Sequence, residues 1–105
     1  MKSNRPKLYL NLYWHMHQPD YRDIVSNEYV LPWTYLHAIK DYSDMAYHLE
    51  INSKARVTFN FVPILLEQLE DYTVQFKQKR IRDPLLALLV EPDLAGISPE
   101  QCHLI

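Results

Sequence analysis

The densest chemistry in the sequence lies in His15-Met16-His17-Gln18-Pro19-Asp20. Side chains two apart on a strand point the same way. His15 and His17 therefore project together if they close a strand. In folds of alternating strands and helices, ligands bind at the carboxyl ends of the strands. Imidazoles there can hydrogen-bond a polyol, shuttle protons or bind a metal. A metal needs a third protein ligand, usually a carboxylate or another histidine, and Asp20 or Glu67 could supply it. The plainer reading has both histidines filling polar niches in a small core.

Two further positions could carry chemistry. Glu67 follows Pro63 by four residues, which puts a carboxylate in the first turns of a helix, where the dipole stabilises it. Trp33 and His37 are four apart at a helix start and share a face. An indole can lie flat against a sugar ring, although an aromatic stripe at helical spacing usually faces a core. Glu70, Asp71 and His48 read as solvated surface. Lys77, Lys79, Arg80 and Arg82 read as a solvated cap at a helix C-terminus, where cations offset the dipole. One cysteine, Cys102, and scattered serines define no nucleophilic triad and no intrachain disulfide.

The elements that must position these groups follow from periodicity. Residues 8–17 read as a strand, with Leu8, Leu10, Leu12 and Trp14 on one face and Tyr9, Asn11, Tyr13, His15 and His17 on the other. Both faces are bulky and apolar until the polar end, as in a parallel strand covered on both sides. Pro19 ends it, and residues 21–31 show no period. Pro32 suits a first helical position, and Tyr35, Ile39, Tyr42, Ala46 and Leu49 predict a helix over 33–50. Residues 56–62 alternate as a second strand. Pro63 opens a second helix with Leu65, Leu66, Leu69, Tyr72 and Phe76 on its inner face. A short apolar helix follows Asp83-Pro84, and Glu91-Pro92 stops it. Ser98-Pro99-Glu100-Gln101 is a helix start with a capping box.

This order predicts an α/β fold with a parallel sheet. Two strands alone leave unprotected edges, and a helix start so close to Ile105 suggests a chain cut inside a helix. The expected domain is therefore 1–105 as the N-terminal portion of a larger barrel. Composition narrows the rest. Only one glycine occurs in 105 residues, where average usage would give roughly seven, so no glycine-rich phosphate loop can be built. The net charge of −2 shows no basic excess for nucleic acid. No apolar run approaches a membrane span, the N-terminus is a poor signal peptide, and the lone thiol suits a reducing cytoplasm.

The stretch His15-Met16-His17-Gln18-Pro19-Asp20-Tyr21 resembles the first signature region of glycoside hydrolase family 57. The resemblance continues in residues 31–42, Leu31-Pro32-Trp33 to Asp41-Tyr42, and again in 57–63 and 65–69. It implies the N-terminal part of a (β/α)7 barrel. It further implies a retaining enzyme on α-linked glucans or maltooligosaccharides, hydrolytic (α-amylase, amylopullulanase) or transferring. On this resemblance His15 and His17 line the sugar subsite next to the cleaved bond, Gln18 and Pro19 complete the region, and Glu67 contacts substrate. The nucleophile and acid/base of such enzymes come from later strands, so no catalytic carboxylate is expected here, nor a metal or cofactor. The fragment alone is expected to be inactive and to need the remainder of its barrel to fold. Two other readings stand beside this one. The first is a metal-dependent, deacetylase-like carbohydrate hydrolase with His15 and His17 as ligands. The second is a small non-enzymatic domain.

Overall fold

A computed structural model describes residues 6–104. Two short strands, β1 (Leu12–Met16) and β2 (Val57–Phe61), pair in parallel. Their register runs from Leu12 opposite Val57 to Met16 opposite Phe61. A parallel pair needs a crossover, and here it is a helical rod of three pieces. These are α1 (Trp33–His37), a π-helical turn (Ala38–Tyr42) and α2 (Ser43–Ile51). After β2 come α3 (Pro63–Gln78), α4 (Pro84–Leu89), a 3₁₀ turn (Leu94–Gly96) and α5 (Pro99–Cys102). The fold is thus mixed α/β with a two-stranded parallel sheet, and no described helix is long and apolar enough to cross a membrane.

Helix boundaries follow local chemistry. Pro63 and Pro84 occupy first-turn positions, where a missing N–H costs nothing. Asp83 caps α4 by accepting the Leu86 N–H at 3.0 Å. Ser98 and Gln101 form the reciprocal capping box of α5. With so few glycines, α3 ends on Lys79 in the left-handed region, φ 54°.

The core lies where α3 and α4 meet the β1–α1 loop. Tyr29, Tyr72 and Leu86 are buried together, with Tyr21, Tyr35 and Ile81 packed against them. The Tyr29 and Tyr72 ring centroids are 4.3 Å apart. Tyr72 donates to Asp83 Oδ2 at 2.6 Å, so one phenol ties α3 to the cap of α4.

Four sequence expectations are corrected. First, β1 spans 12–16 rather than 8–17, and it is not buried on both faces: Leu12 is 41% and Tyr13 56% exposed. Among the described residues no element covers the face that carries Tyr13, and Leu12 lies at the open amino end of the sheet on the helix side. Second, the buried face of α3 is Leu65, Gln68, Tyr72 and Gln75, while Leu66 and Phe76 are exposed. Third, the long first helix contains a π turn. Fourth, Asp71 and Arg82 are not solvated surface. They form an ion pair, and the Arg82 backbone N–H donates to buried Gln75 Oε1 at 2.6 Å.

Candidate functional site

The two faces of the sheet differ in kind. Met16, Phe59 and Phe61 face Tyr42, Ala46 and Leu49 of the crossover across an apolar hollow of about 290 Å³. A larger hollow of about 620 Å³ lies on the same side near Leu12, Trp14 and Val57. It is at the amino end of the strands, opposite to the end that carries His15 and His17. The other face presents Tyr13, His15 and His17 from β1 and the residue after it, beside Thr58 and Asn60 from β2, and all but the half-buried Asn60 are exposed.

On that face His15 and His17 are brought together. Their rings stack with centroids 5.5 Å apart and planes 16° apart. The register sets Asn60 beside His15, and His15 Nδ1 lies 2.6 Å from Asn60 Oδ1. An amide oxygen at this position favours a proton on Nδ1, the tautomer in which Nε2 is the acceptor. Strand pairing thus ties the orientation of the exposed His15 ring to Asn60.

The segment after β1 is built from side chains that hold one another. Tyr21 donates to Gln18 Oε1 at 2.8 Å, and Gln18 Nε2 donates to Tyr42 Oη at 3.2 Å. Tyr42 sits at the end of the π turn and donates to the His17 carbonyl at 3.4 Å. Both ends of the Gln18 amide are therefore engaged by protein. The π turn, a feature often found at functional sites, delivers Tyr42 to this loop.

Gln68 is fully buried and forms four hydrogen bonds. Its Oε1 accepts from the Tyr21 N–H and from Thr34 Oγ1, both at 3.2 Å. Its Nε2 donates to the carbonyls of Pro19 at 2.8 Å and Ile64 at 3.1 Å. One amide thus pins the loop after β1, the first turn of α1 and the first turn of α3 to each other. All four of its hydrogen-bonding capacities are used, which is the condition for burying such a group.

Next to it, Arg22 Nε and Nη2 grip the two oxygens of Asp20 at 2.8 and 2.9 Å, and Nη2 also reaches Glu67 Oε1 at 2.8 Å. The guanidinium holds the Asp20 carboxyl below the usual carboxylate range. Glu67 therefore joins the β1 loop through Arg22. Among the described residues Trp33 makes no ring contact with His15 or His17. It is 45% exposed and packs near His37, with ring centroids 6.3 Å apart. His37 is itself bonded through Nδ1 to Asp41. Among the described residues no group of three His, Cys, Asp or Glu side chains is arranged to hold a metal ion. Asp20 and Glu67, the carboxylates considered above as a third ligand, are both engaged by Arg22.

Sequence reasoning missed Asn60, Arg22, Gln68 and Tyr42. Asn60 had a signal, since asparagine is disfavoured in strands. The others depend on which elements meet.

The comparisons with known proteins bear on the same residues. The family model described as Glycosyl hydrolase family 57 matches residues 11–98, most of the chain and all of the positions just described. No curated protein and no solved structure matches.

Proposed function

Because the chain belongs to glycosyl hydrolase family 57, a family of glycosidic-bond-cleaving enzymes, we propose that it supplies one wall of the sugar subsite in a retaining enzyme acting on α-glucans or maltooligosaccharides. The observation that carries this reading is the His15–His17 pair, stacked on the sheet face turned from the helices. An oriented imidazole acceptor can bind a sugar hydroxyl and strengthen that bond as charge develops. Glu67 contributes a second acceptor beside the loop, and exposed Trp33 offers a ring for stacking.

Asp20 and Glu67, the carboxylates nearest the loop after β1, do not suit the two catalytic roles. Retention needs two carboxyl groups about 5–5.5 Å apart with separate pKa values. Asp20 is ion-paired to Arg22, and Glu67 shares that guanidinium. On this family reading the nucleophile and acid/base belong to other strands of a (β/α)7 barrel, whose interior the His15–Asn60 face would line. The uncovered sheet face supports this arrangement.

The test uses the full-length gene product. It should cleave or transfer maltoheptaose with retention of the anomeric configuration, read by proton NMR. His15→Ala should raise KM about tenfold through loss of an oriented hydrogen bond. Absence of any α-glucan activity in the wild type, or an unchanged KM in the variant, would refute the reading.

A further inference from the structure

The loop after β1 is held by a side chain where the sheet can no longer hold it. Backbone pairing between the two strands ends with the Val62 N–H donating to the Met16 carbonyl at 3.2 Å. The next residue after Val62 is Pro63, which has no N–H to give. On the other chain the peptide groups continue past Met16 through His17, Gln18 and Pro19. Gln68, fully buried in the second turn of α3, meets them there. A primary amide offers the donor and the acceptor of a peptide group. Its Nε2 donates to the Pro19 carbonyl at 2.8 Å, and its Oε1 accepts the Tyr21 N–H at 3.2 Å. The amide is itself fixed by Thr34 Oγ1 and the Ile64 carbonyl. Tyr21 passes the restraint on, since its hydroxyl donates to Gln18 Oε1 at 2.8 Å. His17 therefore lies between two anchored points, the buried and paired Met16 and the Gln68-bound Pro19. Its exposed ring stacks on His15.

We propose that Gln68 is a positioning residue: it extends the parallel ladder by one side-chain amide beyond the last backbone pair, and so sets the place of His17 beside His15. This rests on the reading of His15 and His17 as sugar contacts. Gln68 acts through backbone groups two and four residues on from His17, not through the imidazole. The arrangement has a physical reason. A ring carried on a free loop must be ordered as substrate binds, which costs free energy. An amide that has already fixed the loop removes that cost. An apolar side chain of the same size would fill the space and leave the Pro19 carbonyl and the Tyr21 N–H without this partner.

The experiment compares two buried glutamines of α3 in the full-length protein, with maltoheptaose as substrate. Gln75 is likewise buried but binds Arg82 and Asp71, and among the described residues none of its bonds reaches residues 17–21. Gln68→Met should raise KM about tenfold with kcat changed less than about threefold. Gln75→Met should lower the urea midpoint comparably and leave KM within about twofold. Gln68→Glu keeps the shape of the side chain. At about pH 5 burial keeps its carboxyl protonated, so it retains the acceptor and one donor, and its KM should lie close to that of the wild type. At about pH 9, as the carboxylate forms, its KM should rise relative to wild type; this variant serves where Gln68→Met does not fold. Equal rises in KM for Gln68→Met and Gln75→Met, or lost stability with KM unchanged at position 68, overturn the proposal. A crystal structure of Gln68→Glu at the higher pH tests positioning apart from activity: the His17 ring should leave its stack on His15, and an unmoved ring overturns the assignment. A wild type inactive on α-glucans would instead count against the sugar reading, and the crystallographic arm would still decide what Gln68 does.

Discussion

At the scale of single residues, buried polar groups account for much of the order around the site. Tyr72 shows how. Its hydroxyl is committed to the buried carboxylate of Asp83. Burial, followed by that neighbouring carboxylate, pushes the phenol well above its usual range. An unfolded tyrosine ionises near 10. The folded pKa is the higher one, so this contribution to stability is complete below about pH 10 and is lost as pH rises above it. Tyr72→Phe should cost about 1–3 kcal/mol at pH 7, because Asp83 loses a partner it cannot replace with water. It should also flatten the decline in stability above pH 10. Urea unfolding of the full-length protein between pH 7 and 11 measures both effects. A variant as stable as wild type, with an equally steep alkaline limb, would contradict the assignment.

At the scale of elements, α3 shows what was legible and what was not. Its start at Pro63, its length and the inward Leu65 and Tyr72 follow from period and proline placement. The rest of its buried stripe does not. Gln68 and Gln75 carry no apolar signal, and a rule that turns polar side chains outward assigns those positions to solvent. They are buried because loop backbone groups need partners: Gln68 serves Tyr21 and Pro19, and Gln75 serves Arg82. The histidine pair was legible because a period of two is local. Its partner Asn60 was not, because register is a property of two strands. The π turn was hidden as well, since one wider turn hardly disturbs a helical stripe. The end of α3 gives a prediction of its own. Lys79 holds a left-handed conformation, φ 54°, that costs an L-residue roughly 1–2 kcal/mol. Glycine adopts it freely but loses about 0.5–1 kcal/mol more entropy on folding. Lys79→Gly should therefore stabilise the protein by about 0.5 kcal/mol, visible as a higher urea midpoint at constant slope. A lower midpoint would mean that the Lys79 side chain contributes more than its backbone costs.

At the scale of the whole molecule, the balance between what is buried and what is exposed decides whether these residues can stand alone. Among the described residues six large hydrophobics form the core, and twenty-one are exposed. Six of the exposed ones gather at the sheet. Leu8, Tyr9, Leu10, Leu12 and Tyr13 run into and along β1, and Phe61 ends β2. Both edges of a two-stranded sheet are open, and three or more strands are normally needed for independent stability. The Cα radius of gyration is 20.2 Å, against about 13 Å for a compact domain of this length. Backbone ordering costs roughly 1–2 kcal/mol per residue, and so small a core offsets little of it. The 105-residue polypeptide by itself should therefore melt without a sharp transition, bind a hydrophobic dye such as ANS, and hydrolyse no maltooligosaccharide. Calorimetry, dye fluorescence and product chromatography on the purified chain check the three expectations. A cooperative calorimetric transition would show that the two strands and their helices suffice for folding, which favours a small independent domain. Release of shorter glucans would show that a catalytic pair lies among these residues, and Asp20, Glu67, Glu70 and Asp71 would then need to be reconsidered together with the ion pairs that now hold three of them.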